Sequence, residues 1–254
     1  MAQSNEILSK KDKEYILRGW EYGTIIPFVE GKGAILKDAN GKEYIDFMSG
    51  LVVLSTGHCH PKVVEAIKQQ AEKLIQLSPF ESSARAIEMA EKLATIAPGK
   101  LDKVYFSVTG GEAVEYATRL ARQYKNGYEL IALRGSYHGL TAGALSLTGV
   151  GHYRTGAHGP LVPGIYHAVC PYCYRCNFKQ MYPGCDLLCA ADIEDIVRTL
   201  GTDKLCGVIL EPILEAGGGM APPDEYFRVV KEICERHGLL FIDDEVSLGM
   251  GRTG

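Results

Sequence analysis

The feature that most constrains the fold is an alternation of short apolar runs and helical segments that begins after Leu101. The apolar runs are too short for helices and are predicted strands, at residues 104–107, 129–133, 206–210 and 239–243. Predicted helices lie among them at residues 112–124, 191–200 and 225–237. Such alternation is typical of a mostly parallel sheet with helices on both faces, so the sequence predicts an α/β fold.

The residues before Leu101 have a different pattern. A charged helix is predicted around Lys10–Trp20, followed by a hairpin across Asn40-Gly41, because Asn-Gly between two alternating runs favours a tight turn. One amphipathic helix is predicted to begin at Pro61, where proline is tolerated, and a second covers residues 83–96. Residues 149–189 are predicted to be irregular.

Charge and hydropathy exclude several classes of partner. The 27 Lys+Arg and 31 Asp+Glu residues give a net charge of -4. The chain has no block of five or more basic residues, which disfavours binding to nucleic acid or to an anionic membrane. The longest apolar runs, such as residues 50–56, are far shorter than the roughly 20 residues that span a bilayer. The charged N-terminus resembles neither a secretory signal nor a clean transit peptide, so we expect a cytoplasmic protein.

Glycine turns are the first candidates for a binding site, since 29 of the 254 residues are glycine and most of the excess is clustered. Thr109-Gly110-Gly111 joins a predicted strand to a helix, where free backbone N–H groups and the helix dipole favour an anion such as phosphate. The alternative is that Gly110 and Gly111 only make a tight turn. The segment lacks the dinucleotide and P-loop glycine patterns, which disfavours nicotinamide cofactors and nucleoside triphosphates.

Two further segments follow predicted strands, at the edge of the sheet where ligands of α/β proteins bind. In GSYHG, Tyr137 could lie flat against a planar ring, although Tyr137 and His138 could equally cover local surface. In GLLFIDDEV, an acid could pair with a cationic heterocycle nitrogen or hold a metal, or could simply be solvated. Strand alternation places Asp243 and Asp244 on opposite faces, so only one of them could contact the ligand.

A cysteine cluster occupies the irregular region. Five of the eight cysteines have the spacing of zinc or iron-sulfur ligands: Cys170, Cys173, Cys176, Cys185 and Cys189. A structural metal, disulfides and unliganded thiols in a long loop are the three alternatives, and thiols kept reduced in the cytosol favour the last. We therefore assign no metal and treat these residues as weak candidates.

Taken in order, these segments resemble the class III, pyridoxal-phosphate-dependent aminotransferases, the group that includes the 4-aminobutyrate, ornithine and alanine-glyoxylate enzymes. The resemblance runs along essentially the whole chain through AILKDANGKEYIDFMSG, GHCHPKVVEAIKQQ, TGGEA, GSYHG, GALSLTG, LEPI, DDEV and GMGRTG. It implies a fold-type-I transferase, with residues 1–60 in the small domain and residues 61–254 in the domain that binds pyridoxal 5'-phosphate.

The resemblance also implies roles for individual residues, and the ordered set favours ligand binding over the structural alternatives. Gly110 and Gly111 match the turn that holds the cofactor phosphate, and Val246 matches a residue packed on the cofactor ring. The catalytic residues implied are Asp244, paired with the pyridine nitrogen, and Tyr137, stacked on the ring. His138 is implied to bind the cofactor beside Tyr137, and Glu211 to shape the substrate pocket.

The sequence departs from the family pattern in two places at the cofactor site. Gly111 stands where the family commonly has a hydroxyl residue, which removes one contact to phosphate and predicts weaker cofactor binding. Ser247 stands where the family commonly has Gln, which reaches the ring hydroxyl. The cysteine-rich loop looks like one found in a subset of the family.

The largest departure concerns the lysine that forms a Schiff base with the cofactor, which in this family lies a few dozen residues after Asp-Glu-Val. No lysine follows Lys231, so we expect an N-terminal portion, incomplete at its C-terminus. The implied function is transfer of an amino group between an amino acid or omega-amine and a 2-oxo acid, by a homodimer. The alternatives are a racemase, decarboxylase or aminomutase relative, and a non-catalytic cofactor-binding or assembly fragment.

Overall fold

The computed structural model describes residues 4–17, 25–78, 80–155 and 159–252. They form two units: one comprises Met1–Val104 with Met250–Arg252, and the other comprises Tyr105–Gly249. Within the described ranges, no helix is both long and apolar enough to cross a bilayer.

The first unit contains a small antiparallel sheet and several helices. Its elements are α1 (Asn5–Tyr15), β1 (Phe28–Lys32), β2 (Ile35–Asp38), β3 (Glu43–Ile45), the short left-handed turn α2 (Ser49–Val52), α3 (Pro61–Ala71) and α4 (Ala84–Ile96). The predicted hairpin is confirmed as the antiparallel pair of β2 and β3. Buried Asp38 shapes its turn, because one carboxylate oxygen accepts from the backbone N–H groups of Asn40 at 3.0 Å and Lys42 at 2.9 Å.

The three helices predicted in this unit are all present, although α1 is shifted toward the N-terminus. Helix α3 begins at Pro61 as predicted, and α4 starts after Ser83. Helix α1 begins before the predicted Lys10 and ends at Tyr15, and residues 18–20 of the predicted helix lie outside the described residues. The strand β1, which pairs with β2, was not predicted.

The second unit contains a parallel sheet in the order β5-β4-β6-β7. Its elements are α5 (Gly110–Lys125), β4 (Glu129–Leu133), α6 (Ala142–Leu147), α7 (Gly151–Arg154), β5 (Ile165–Ala168), a 3-10 turn (Cys173–Arg175), α8 (Leu188–Leu200), β6 (Leu205–Leu210), α9 (Tyr226–Arg236) and β7 (Leu240–Asp243). All three neighbouring pairs of strands are parallel, which confirms the α/β prediction.

Helices cover both faces of this sheet. Ile131 and Leu133 of β4 belong to a buried cluster that includes residues of α8 and α9. The alternate β4 residues Leu130 and Ala132 belong to a second cluster that includes residues of α5 and α6. Every residue of the central strand β6 is buried, as expected for a strand of a parallel sheet that is covered on both faces.

One strand prediction is wrong. Residues 104–107 form no strand, because within the described part of the chain no neighbouring strand forms a hydrogen-bonded ladder with them. Tyr105 and Phe106 are each 52% exposed, and the Tyr105 ring instead stacks on Tyr116 of α5. An apolar run predicts a strand only where a partner strand completes its hydrogen bonds.

Candidate functional site

The carboxyl ends of three adjacent strands place the predicted site residues at one edge of the sheet. Tyr137 and His138 follow β4, Glu211 directly follows β6, and Asp244 directly follows β7. A cavity of about 490 Å³ lies there, within the size range of small-molecule sites. Its lining includes all the residues predicted to bind the cofactor: Gly110, Gly111, Tyr137, His138, Asp244 and Val246.

Asp244 is the buried acid of the cavity, with 8% of its surface exposed. Its Oδ2 atom lies 2.7 Å from His138 Nδ1, and its Oδ1 atom accepts from the Val246 N–H at 3.1 Å. An ionised carboxylate can only accept, so its hydrogen bond with His138 requires the proton on Nδ1. Its neighbour Asp243 is exposed and is not part of the cavity lining.

The other ring nitrogen of His138 is buried and, among the described residues, has no hydrogen-bond partner. The pairing of His138 with Asp244 was missed at the level of sequence. The two residues are 106 positions apart, and no local pattern connects them.

Glu211 contacts the backbone of Tyr137, which lines the cavity. It is 4% exposed, and its Oε1 atom accepts from the Tyr137 backbone N–H at 2.7 Å. The pKa of the Glu211 carboxyl is raised to about 8, chiefly by burial; the hydrogen bond from Tyr137 opposes this shift and the nearby charge of Asp244 adds to it. Glu211 is not part of the cavity lining, so it supports the loop that carries Tyr137.

The glycine turn is held by two side-chain hydrogen bonds at the start of α5, one to the N-cap residue Thr109 and one to the residue before it. Thr109 Oγ1 accepts from the Glu112 N–H at 3.1 Å, and Glu112 Oε2 accepts from the Val108 N–H at 2.9 Å. The first N–H groups of a helix have no acceptor within the helix, so this end of the cavity suits an anion.

Close packing explains why glycine occupies this turn. A Cβ added at Gly110 would lie 2.8 Å from Val246 Cγ1, and one added at Gly111 would lie 3.4 Å from Thr141 Cγ2. In the loop that faces this turn, Gly139 has a φ of +125°, and a Cβ added there would lie 2.8 Å from the Gly111 Cα. Side chains at these positions would contact or collide with neighbouring residues that line the cavity.

Tyr137 and Val246 also line the cavity. Tyr137 is half-buried, and its ring centroid lies 4.9 Å from that of Tyr153 at a tilt of 53°. Val246 is 51% exposed and packs toward Gly110. Ser247, the residue that departs from the family pattern, also lines the cavity.

The cysteine-rich loop lies apart from this cavity. Its five thiols surround a space of only about 20 Å³, and all eight cysteines of the chain are free. Within the described ranges, no three or more His, Cys, Asp or Glu side chains are arranged to hold a metal ion. Burial raises the pKa of Cys189 to about 11, and this residue packs against the core. Cys189 therefore packs as a small, partly buried side chain.

The family model and the similar proteins of known name all point to aminotransferases. The model of the aminotransferase class-III family matches residues 18–254. An acetylornithine aminotransferase from Methanopyrus kandleri is 39% identical over 90% of this chain and 53% of its own length. An adenosylmethionine-8-amino-7-oxononanoate aminotransferase from Geobacter sulfurreducens is 34% identical over 94% of this chain and 54% of its own length.

Solved structures agree with the sequence relatives. An (S)-enantioselective omega-transaminase from Thermomicrobium roseum superposes with a TM-score of 0.92 and 32% identity, over 100% of this chain and 59% of that one. A Bacillus anthracis aminotransferase gives a TM-score of 0.91 and 30% identity, over 98% of this chain and 57% of that one. The chain therefore spans little more than half the length of its relatives, and the fold-type-I prediction is confirmed. This chain belongs to the class III aminotransferase family.

Proposed function

We propose that this chain carries the cofactor-binding part of an aminotransferase that uses pyridoxal 5'-phosphate. The reaction proposed is amino-group transfer between an amino acid or omega-amine and a 2-oxo acid. The observation that carries the proposal is that one cavity is lined both by a buried carboxylate, Asp244, and by the glycine turn at the start of α5.

The residues fit this cofactor in size, charge and shape. A phosphorylated heterocycle has an anion at one end and a basic nitrogen in the ring, and both ends find a complement here. The helix N-terminus at Gly110 and Gly111 would hold the phosphate. Asp244 would accept a hydrogen bond from the protonated ring nitrogen, in which the charges strengthen the bond. Tyr137 and Val246 would orient the ring between them.

When bound, pyridoxal 5'-phosphate supplies an electron sink for negative charge that develops at the substrate's Cα. The chain's contribution is to hold a proton at the ring nitrogen, which Asp244 favours by its negative charge. His138 donates to Asp244 from Nδ1 and so holds the carboxylate in one orientation. Burial of the pair excludes water, which strengthens its electrostatic effect on the ring.

The substrate, partner and domain assignments remain part of this proposal. We propose that Glu211 influences the substrate pocket through the Tyr137 backbone, that residues 1–60 belong to a small domain and residues 61–254 to the cofactor domain, and that the working form is a cytoplasmic homodimer. The names of the relatives support an amino acid or an omega-amine as the donor.

The test is a cofactor titration followed by product analysis on the protein expressed from its full reading frame. Saturable binding of pyridoxal 5'-phosphate, followed by its absorbance, and formation of alanine from pyruvate or glutamate from 2-oxoglutarate would support the proposal. An amino donor that is racemised or decarboxylated without a new amino acid would favour the alternative activities. If borohydride treatment leaves the intact mass unchanged and no product forms, the non-catalytic alternative is favoured.

A further inference from the structure

Glu115 makes a set of contacts that the sequence analysis did not anticipate. It lies on α5, about one turn after the glycine turn, and its side chain reaches the segment that follows GSYHG. Its Oε1 atom accepts from the Thr141 hydroxyl at 2.7 Å, from the Gly143 N–H at 2.7 Å and from the Ala144 N–H at 3.3 Å. One carboxylate oxygen therefore joins two segments that are more than twenty residues apart in sequence.

These contacts take the place of a local cap on α6. The N-cap residue of that helix, Thr141, makes no capping bond with its own side chain, although the first N–H groups of any helix need an acceptor. Glu115 supplies that acceptor from another helix. A Cβ at Gly143 would collide with the Glu115 carboxylate, so glycine at this position leaves the carboxylate room to approach the backbone.

The anchored segment lines the cavity where it faces the glycine turn. Thr141 Cγ2 lies within van der Waals distance of the position of a Gly111 Cβ, and Gly139 lies against the Gly111 backbone. Glu115 is on the same helix as Gly111 and holds Thr141 directly. The gap between the glycine turn and the facing wall therefore depends on where Glu115 holds that wall.

We propose that Glu115 is a positioning residue that sets the width of the phosphate end of the cavity by anchoring the start of α6 to α5. This inference rests on the proposed function, because it assumes that the cofactor phosphate occupies the glycine turn. The carboxylate does not contact the phosphate in this role. Its charge is stabilised by three donors from the facing wall.

The experiment compares pyridoxal 5'-phosphate with pyridoxal, which lacks the phosphate, in titrations of the whole protein and its variants. Glu115→Ala should weaken binding of pyridoxal 5'-phosphate about tenfold, because three hydrogen bonds to one charged acceptor are lost. It should change pyridoxal binding by less than about twofold, because the ring end of the cavity is untouched. Glu115→Gln should keep most of the affinity, because its carboxamide oxygen can accept the same bonds.

A second variant reaches the same contact from the other side. Gly143→Ala leaves Glu115 in place but displaces its carboxylate, so it should reproduce the loss that is specific to the phosphorylated ligand. The control is Glu232→Ala on α9, which removes an exposed carboxylate paired with Arg228 and should leave both affinities unchanged.

The outcomes separate this inference from the proposed function. If wild-type protein prefers pyridoxal 5'-phosphate to pyridoxal and the Glu115→Ala and Gly143→Ala variants keep that full preference, the positioning role is wrong and the proposed function stands. Equal weakening of both ligands would also overturn it, because it would indicate a general loss of structure. If wild-type protein binds neither ligand, the proposed function itself fails.

Discussion

His138 Nδ1 and Asp244 Oδ2 lie 2.7 Å apart, and both side chains are almost completely removed from solvent, at 0% and 5% exposure. An ionised carboxylate in such a place is costly unless hydrogen bonds compensate for the lost water. The His138 ring and the Val246 backbone N–H provide that compensation. The pair thus makes it possible to keep a negative charge inside the cavity.

Replacing His138 with leucine should destabilise the protein and weaken cofactor binding together. The change leaves Asp244 buried with one donor fewer, which should lower the free energy of unfolding by about 1–3 kcal/mol in urea denaturation at neutral pH. Affinity for pyridoxal 5'-phosphate should fall, because the carboxylate is no longer held in one orientation.

His237→Leu is the matched control for this prediction. His237 also lies close to a carboxylate, with its Nε2 atom 3.0 Å from Glu194 Oε1, but it follows α9 away from the cavity lining. This variant should lose stability without losing cofactor affinity. Equal cofactor affinity in the His138 variant and wild type would contradict the role given to His138.

Asp244→Asn should keep the fold and weaken cofactor binding, because it removes a charge with almost no change in shape. Loss of a charge-assisted hydrogen bond predicts an affinity for pyridoxal 5'-phosphate about 10- to 100-fold lower. The neighbouring change Asp243→Asn removes an exposed carboxylate and should leave the affinity within about twofold of wild type. Absorbance titration measures the cofactor affinity of each variant. Similar losses of affinity in the two variants would contradict a specific role of Asp244 in cofactor binding.

Gly110 and Val246 should show coupled effects on cofactor binding. Gly110→Ala places a methyl group 2.8 Å from Val246 Cγ1, so the valine must move and the cofactor affinity should fall about tenfold. In the double variant with Val246→Ala the clash is relieved. The double-mutant cycle should therefore show a coupling of about 1 kcal/mol, and strictly additive effects would mean that the two side chains do not meet.

Glu211 should make stability depend on pH. The pKa of its carboxyl is about 8 in the folded protein against an ordinary value of 4.5. Between these values the folded state keeps a proton that the unfolded state has released, so stability falls as pH rises, by up to about 1.4 kcal/mol per pH unit.

Glu211→Gln keeps the acceptor for the Tyr137 N–H and should remove this slope. The exposed change Glu232→Gln should leave the slope unchanged, and urea denaturation from pH 5 to 9 distinguishes the two.

Much of the second unit could be predicted from sequence, because its signals are local. The apolar runs of β4, β6 and β7 and the helical periodicity of α5, α8 and α9 all predicted the correct element within a few residues. Strand β5 was missed because its four residues, Ile-Tyr-His-Ala, lie in a region rich in turn residues and do not form an apolar run. Residues 104–107 failed for the opposite reason, since they are apolar but have no ladder within the described residues.

The residues of the candidate site could also be predicted only where the signal is local. Tyr137 and Asp244 could be named because each follows a recognisable strand, and the glycine turn because it begins a recognisable helix. The resemblance gave their order meaning. The bond between His138 and Asp244 and the anchoring of Thr141 by Glu115 could not be predicted, because they join residues 106 and 26 positions apart. Such contacts depend on the packed tertiary structure and leave no periodic signal in the chain.

The backbone N–H of Asp244 donates to the Leu210 carbonyl at 2.7 Å, which fastens this residue to the fully buried strand β6. A group fixed in this way has little conformational entropy left to lose when a ligand arrives. Asp244 is therefore preorganised, and binding of a ligand to it does not require the free-energy cost of ordering a loop. Changes in the surrounding loops could alter which substrate is accepted while this electrostatic anchor stays in place.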